Sequence, residues 1–95
     1  MSHIIWSDMA LADLQRHFHF LAQHDKTLAA RAVRAIRDAV RHLSANPRIG
    51  HQLLGPRPPR FMWPIKFGKS AYVIHYQLEE DDVIVLKVNH QRERR

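Results

Sequence analysis

Two histidines and a few cations carry the side chains with the most obvious chemistry in this chain. Imidazoles exchange protons near neutral pH, and His75 and His90 supply two of them. Arg60, Lys66, Lys69 and Arg92 can hold phosphate through charge-assisted hydrogen bonds. A base, an acid and phosphate-holding cations are what cleavage of RNA through its 2′-hydroxyl requires. Lys66 and His75 fall on neighbouring strand-like segments and His90 ends a third, so the three can converge on one edge of a sheet. Each residue also has a plainer reading. His75 alternates with apolar neighbours and can simply face solvent or a partner. His90 can cap the last strand. The closing arginines, Arg92, Arg94 and Arg95, can be a flexible basic tail over residues 91–95.

Metal chemistry is not expected. His17, His19 and His24 cluster in sequence, but positions 17 and 19 diverge around a helix and no pair has i, i+4 spacing. There is no cysteine, which removes thiolate zinc sites and disulfides alike and suits a reducing, cytoplasmic setting. No feature calls for a cofactor.

The chain has 95 residues, enough for one domain and one core. Its apolar fraction of 45% is that of an ordinary globular protein. No apolar run is long enough to span a bilayer, and Met1 to Ala10 does not resemble a signal peptide. The net charge of +6 points to a polyanionic partner, either nucleic acid or an acidic protein.

"HIIW", His3 to Trp6, reads as a short strand, with Ser7 or Asp8 capping a first helix over Met9 to Gln23. There Ala10, Leu14, Phe18 and Leu21 recur at helical spacing. Asp25 can cap a second helix, Lys26 to Ser44, with Ala29, Val33, Ile36, Val40 and Leu43 in one stripe and Arg31, Arg34, Arg37 and Arg41 on the other side. That arginine row reads either as a solvated face or as a contact for an acidic partner. Pro47 and Gly50 end the helix. "HQLLGPRPPR" reads as a loop. The pattern then switches to period two in "RFMWPIKF", "AYVIHYQL" and "VIVLKVNH", with a turn at "GKS" and an acidic turn at "EEDD". Pro64 cannot donate to a ladder, so its strand is expected at an edge or bulged. The fold class is α+β: strand, helix, helix, strand, strand, strand, a helical hairpin on one face of a small antiparallel sheet.

Taken in order, "IIWSDMALADLQ", "LSANPRIG", "FGKSAYVIHYQ" and "VIVLKVNHQRE" resemble the toxins of the RelE/ParE superfamily over nearly the whole chain. The resemblance implies a toxin of a bacterial type II toxin-antitoxin system, made beside an antitoxin that neutralises it, and the fold just described. The family has two branches: RelE-like members are ribosome-dependent endoribonucleases acting on mRNA, and ParE-like members inhibit DNA gyrase.

The "HQRE" ending and the "FGKSAYV" hairpin look more like the ParE side. Departures from the nuclease pattern point the same way. No tyrosine follows Tyr76, and the position matching the nuclease sheet arginine is Phe61, beside Arg60 but on the opposite face. The leading expectation is therefore a toxin that engages DNA gyrase through a basic surface, with Lys69, His75 and Arg92 at the contact. The acidic antitoxin would meet Arg31, Arg34, Arg37 and Arg41. Two alternatives stay open: a ribosome-dependent nuclease using His90 with Arg60 and Lys66, and a non-toxic relic that only binds antitoxin.

Overall fold

The structure is a computed structural model that describes residues 2–93. Strand β1 spans His3–Trp6, helix α1 Asp8–Ala22, helix α2 Lys26–Ala45, and strands β2 to β5 span His51–Leu53, Arg60–Phe67, Ser70–Glu79 and Asp82–His90. Both helices start where side-chain oxygen can replace a missing backbone acceptor. Ser7 accepts from the Ala10 N–H at 3.1 Å and Asp25 from the Leu28 N–H at 3.1 Å. Pro47 follows the Asn46 cap of α2 and stops it.

The five strands form one mixed sheet in the order β1-β5-β4-β3-β2. β2 to β5 pair antiparallel, and β1 lies parallel to β5, His3 beside Asp82 and Trp6 beside Val85. The helical hairpin covers one face, as expected. Two points differ from the sequence reading. The segment read as a single loop contains β2, whose His51, Gln52 and Leu53 pair with Met62, Phe61 and Arg60. Three residues are too few to carry a period-two signal. The sheet is also not wholly antiparallel, because β1 adds parallel along the outer edge of β5, and strand direction across a helical crossover leaves no mark on the strand itself.

Tight turns join the hairpins. Phe67 opposes Ser70 across Gly68 and Lys69. Gly68 takes the left-handed φ that a two-residue turn asks of its first position. At the β4–β5 turn Glu80 also takes a positive φ, where a side chain is strained. Pro64 lies past the end of β2, so β3 is an edge at its position. The irregularity falls elsewhere: the β4–β5 register slips between His75 and Tyr76, leaving Leu86 opposite no residue.

The core forms between sheet and helices. Tyr72, Ile74 and Tyr76 alternate inward from β4 and meet Phe61, Val83, Val85 and Val88, with Ile36, Val40 and Leu43 of α2 above them. Phe61 and Tyr76 stack at 5.1 Å. Trp6 and Trp63 are half-buried against this cluster. On α1 the buried face is turned from the expected stripe. Ala10 and Leu14 are buried, but so are Asp13 and His17, while Phe18 is half-buried.

Candidate functional site

The burial of Asp13 and His17 follows from how β5 ends. β1 stops at Trp6, and β5 continues to His90 with no strand on that side among the described residues. Its backbone groups still need partners once buried. The Ser7 N–H donates to the Val85 carbonyl at 3.0 Å, and the Ser7 hydroxyl to the Leu86 carbonyl at 2.9 Å. The Val88 N–H donates to Asp13 Oδ2 at 2.9 Å, and His17 Nε2 lies 2.7 Å from the Val88 carbonyl. Asp13 and His17 are one helical turn apart, so both reach the same strand residue. A carbonyl only accepts, so His17 Nε2 carries the proton. Burial holds the His17 imidazole below its ordinary range, against the opposing pull of the Val88 carbonyl.

The chain past β5 is tied to the same helix. Glu93 accepts the His90 N–H at 2.7 Å and pairs with Arg16, which also reaches Asp13 Oδ1 at 3.0 Å. Burial alone would raise the Glu93 carboxyl, but the His90 N–H and the Arg16 guanidinium outweigh it and hold it below the ordinary carboxylate range. The expected basic tail thus begins with a turn in which Gln91 N–H donates to the Ala71 carbonyl. Arg94 and Arg95 lie outside the described residues.

The register shows where the candidate nuclease groups stand. His90 opposes Tyr72 and shares its helix-side face, with the rings edge-on at 5.3 Å. Its Nδ1 accepts the Arg92 N–H at 3.2 Å. Lys66 opposes Ala71 and Arg60 opposes Gln77, both on the open face. Arg60 and Lys66 sit near opposite ends of β3, too far apart along an extended strand to serve one reacting atom. His75 is on the open face between Met62 and Lys87. Burial, then the Lys87 charge, hold its imidazole below the ordinary range. Lys66, His75 and His90 therefore do not converge. What does gather at the β3–β4 turn is Lys66, exposed Lys69 and exposed Arg92, because Lys66 opposes Ala71 and Gln91 is bonded to that same residue.

A different surface forms where α1 meets α2. Phe18, Ala30, Val33, Arg34, Arg37 and Arg41 line one open depression of about 370 Å³, and Leu11, Leu14, Gln15 and His19 extend it along α1 in an adjoining one of similar size. Its floor is apolar and its wall is guanidinium. Arg41 is partly answered by Asp38 at 2.9 Å. Arg31 stands outside the lining. Leu11 on the rim is 42% exposed and Phe20 on the same helix 67%. Val33, expected in the core, is half-buried here.

Sequence reasoning did not single out Asp13, Arg16 or Glu93. The signal was present for two of the buried groups: Asp13 and His17 interrupt the apolar face between Ala10, Leu14 and Leu21 at i, i+4 spacing, which marks polar side chains with a buried partner.

The sequence model of the family described as "ParE toxin of type II toxin-antitoxin system, parDE" matches residues 4–95. Among solved structures, a chain of the "Chromosomal ParDE TA system from P. aeruginosa" superposes with a TM-score of 0.71 at 19% identity, covering 95% of this chain and 96% of that one. Among curated proteins, none matches the sequence. No helix among the described residues is long and apolar enough to cross a membrane.

Proposed function

Because the chain belongs to the ParE toxin family of type II toxin-antitoxin systems, we propose that it arrests growth in the bacterial cytoplasm by occupying DNA gyrase, and that a cognate antitoxin neutralises it. The observation that supports occupancy over bond breaking is the separation of His90 from Lys66 and Arg60 across the sheet. General acid–base cleavage needs its groups within hydrogen-bond reach of one reacting centre. Here the imidazole faces Tyr72 on the helix side and the cations face outward. Lys69, Arg92 and His75 remain as contacts for the target.

The antitoxin is an acidic, amphipathic segment laid along the α1–α2 depression. Phe18 and Val33 offer it an apolar floor, and Arg34, Arg37 and Arg41 offer charge. An apolar floor rimmed by cations repels a basic segment and favours an acidic one over a neutral one.

One pair of assays tests the target. The chain is expressed without antitoxin, and supercoiling by purified gyrase is followed beside the integrity of translated mRNA. Blocked supercoiling with intact mRNA is the expected result. Ribosome-dependent cleavage that disappears in His90→Ala would overturn the reading in favour of a nuclease, and unimpaired growth in favour of an antitoxin-binding relic.

A further inference from the structure

The open face of the sheet carries a second feature. Between Asp38 and Glu79 the chain holds no Asp or Glu, and this stretch supplies β2, β3 and nearly all of β4. Register turns that bias into geometry. His51 stands beside Met62, Met62 beside His75, and His75 beside Lys87. Partners in register share a face of the pleat, so these four make one row across β2, β3, β4 and β5. At about 4.8 Å per strand the row is about 14 Å long. Arg60 and Lys66 lie two and four residues from Met62 along β3, on the same face because the pleat has period two. His51, Arg60 and Lys66 are exposed and Lys87 is half-buried.

The cations of this face are not tied up in ion pairs. Among the described residues, none of Arg60, Lys66 and Lys87 has an acidic partner within ion-pair distance. The acids of β4 and β5, Glu79 and Asp82, share this face at the Arg60 end, Glu79 two residues beyond the Gln77 that opposes Arg60 and bonded to its side chain at 3.3 Å. The Phe, Trp and Tyr rings of these strands are on the other face: Phe61, Trp63 and Phe67 alternate with Met62, Pro64 and Lys66, and Tyr72 and Tyr76 point into the core. A single-stranded nucleic acid would need a platform of rings on which successive bases stack, and this face offers only the imidazoles of His51 and half-buried His75. A duplex needs only cations at the spacing of its backbone.

We propose that the open face of the sheet binds the phosphate backbone of double-stranded DNA without reading its sequence, through Arg60, Lys66 and Lys87 with His51 at the margin. The choice of DNA over duplex RNA rests on the gyrase reading, since gyrase holds duplex DNA. The duplex-phosphate site itself does not rest on it.

The test is fluorescence anisotropy of the full-length chain with a labelled duplex of arbitrary sequence, between about 50 and 200 mM salt. Three phosphate contacts give a slope of roughly −3 in log affinity against log salt. Arg60→Gln with Lys66→Gln is expected to reduce that slope to roughly −1 and to weaken binding at least tenfold at the low-salt end. Lys26→Gln with Arg31→Gln removes equal charge from α2 and is expected to leave the slope in place. Should the first pair unfold the chain, Lys87→Gln alone is expected to lower the slope by about 0.9. Equal losses from both pairs, or no salt-dependent binding, would overturn the proposal. So would tighter binding to a single strand or an RNA duplex of the same length, or to a poly-glutamate peptide, which would assign the face to an acidic protein. No gyrase is present in this assay, so failure here leaves the supercoiling result standing, and the reverse also holds.

Discussion

Asp13 Oδ2 lies 2.9 Å from the amide nitrogen of Val88, 75 residues further along the chain. The carboxylate takes the place of a strand that is missing from that side of β5. Replacing it with alanine leaves the Val88 N–H buried without an acceptor and removes a partner of Arg16. Asp13→Ala is expected to cost about 2–3 kcal/mol, which for a domain of this size lowers Tm by roughly 4–8 °C per kcal/mol. Asp13→Asn keeps an acceptor oxygen at the same place and is expected to lose less. Urea unfolding of the two variants checks the order; equal stability of Asp13→Ala and the parent would remove the structural role given to this bond.

Acid should loosen the same corner in two stages. Burial holds His17 below its ordinary range, so its stabilising contribution is whole above the unfolded value, about 6.5, and is lost as pH falls toward the folded value. His75, held down by burial and then by Lys87, acts in the same window. Glu93, its burial outweighed by the His90 N–H and Arg16, contributes stability present above the unfolded carboxylate value, about 4.3, and lost as pH falls through the folded one. The urea midpoint is expected to drop between about pH 7 and 5, then again below about 4. In His17→Gln, which keeps a donor for Val88 but cannot titrate, the first drop is expected to shrink to the part His75 supplies.

Gly50 and Tyr76 lock β2 onto the sheet. The Gly50 N–H donates to Tyr76 Oη at 3.0 Å, and a Cβ at Gly50 would stand 2.7 Å from that oxygen and 3.1 Å from the Met62 carbonyl. Gly50→Ala is expected to destabilise by about 1–3 kcal/mol through overpacking. Tyr76→Phe loses the hydrogen bond and is expected to cost about 1 kcal/mol. The double variant should cost less than the sum, because the phenyl ring removes the atom that the new methyl meets. Strict additivity in thermal melts would argue against the clash.

The depression between the helices can be probed without touching the core. Arg34→Glu with Arg37→Glu reverses charge at two exposed positions of its wall. Calorimetric titration with the antitoxin is expected to show affinity at least tenfold lower, about 1.4 kcal/mol, with the unfolding midpoint close to the parent's. Unchanged affinity would move the antitoxin to another surface.

Much of this fold was written in local patterns. The caps at Ser7 and Asp25, the apolar stripe through Ile36, Val40 and Leu43, and the alternation of Tyr72, Ile74 and Tyr76 are each decided by residues within a turn or two. The parallel pairing of β1 with β5 and the existence of β2 are decided by contacts far along the chain, and three residues such as His51 to Leu53 carry no period. The candidate site divides the same way. The arginines of α2 were visible as a row. Whether His90 and Lys66 share a face depends on the slip at His75 and Tyr76, which advances β5 by one residue and carries Val88 and His90 to the helix side. Nothing in "VIVLKVNH" marks the bulge at Leu86.

The sealing of β5 by Ser7, Asp13 and His17 has a bearing on self-association. An unpaired strand margin is a template on which a second chain can build. Here the Val85, Leu86 and Val88 carbonyls and the Val88 N–H are already occupied from within. On the opposite side Pro64 removes the donor that an incoming strand would need along the uncovered part of β3. Strand addition is thus obstructed along the uncovered lengths of β5 and β3 by different means, one a set of side chains from the start of α1 and the other an imino acid, and loss of Asp13 would free the Val88 N–H again.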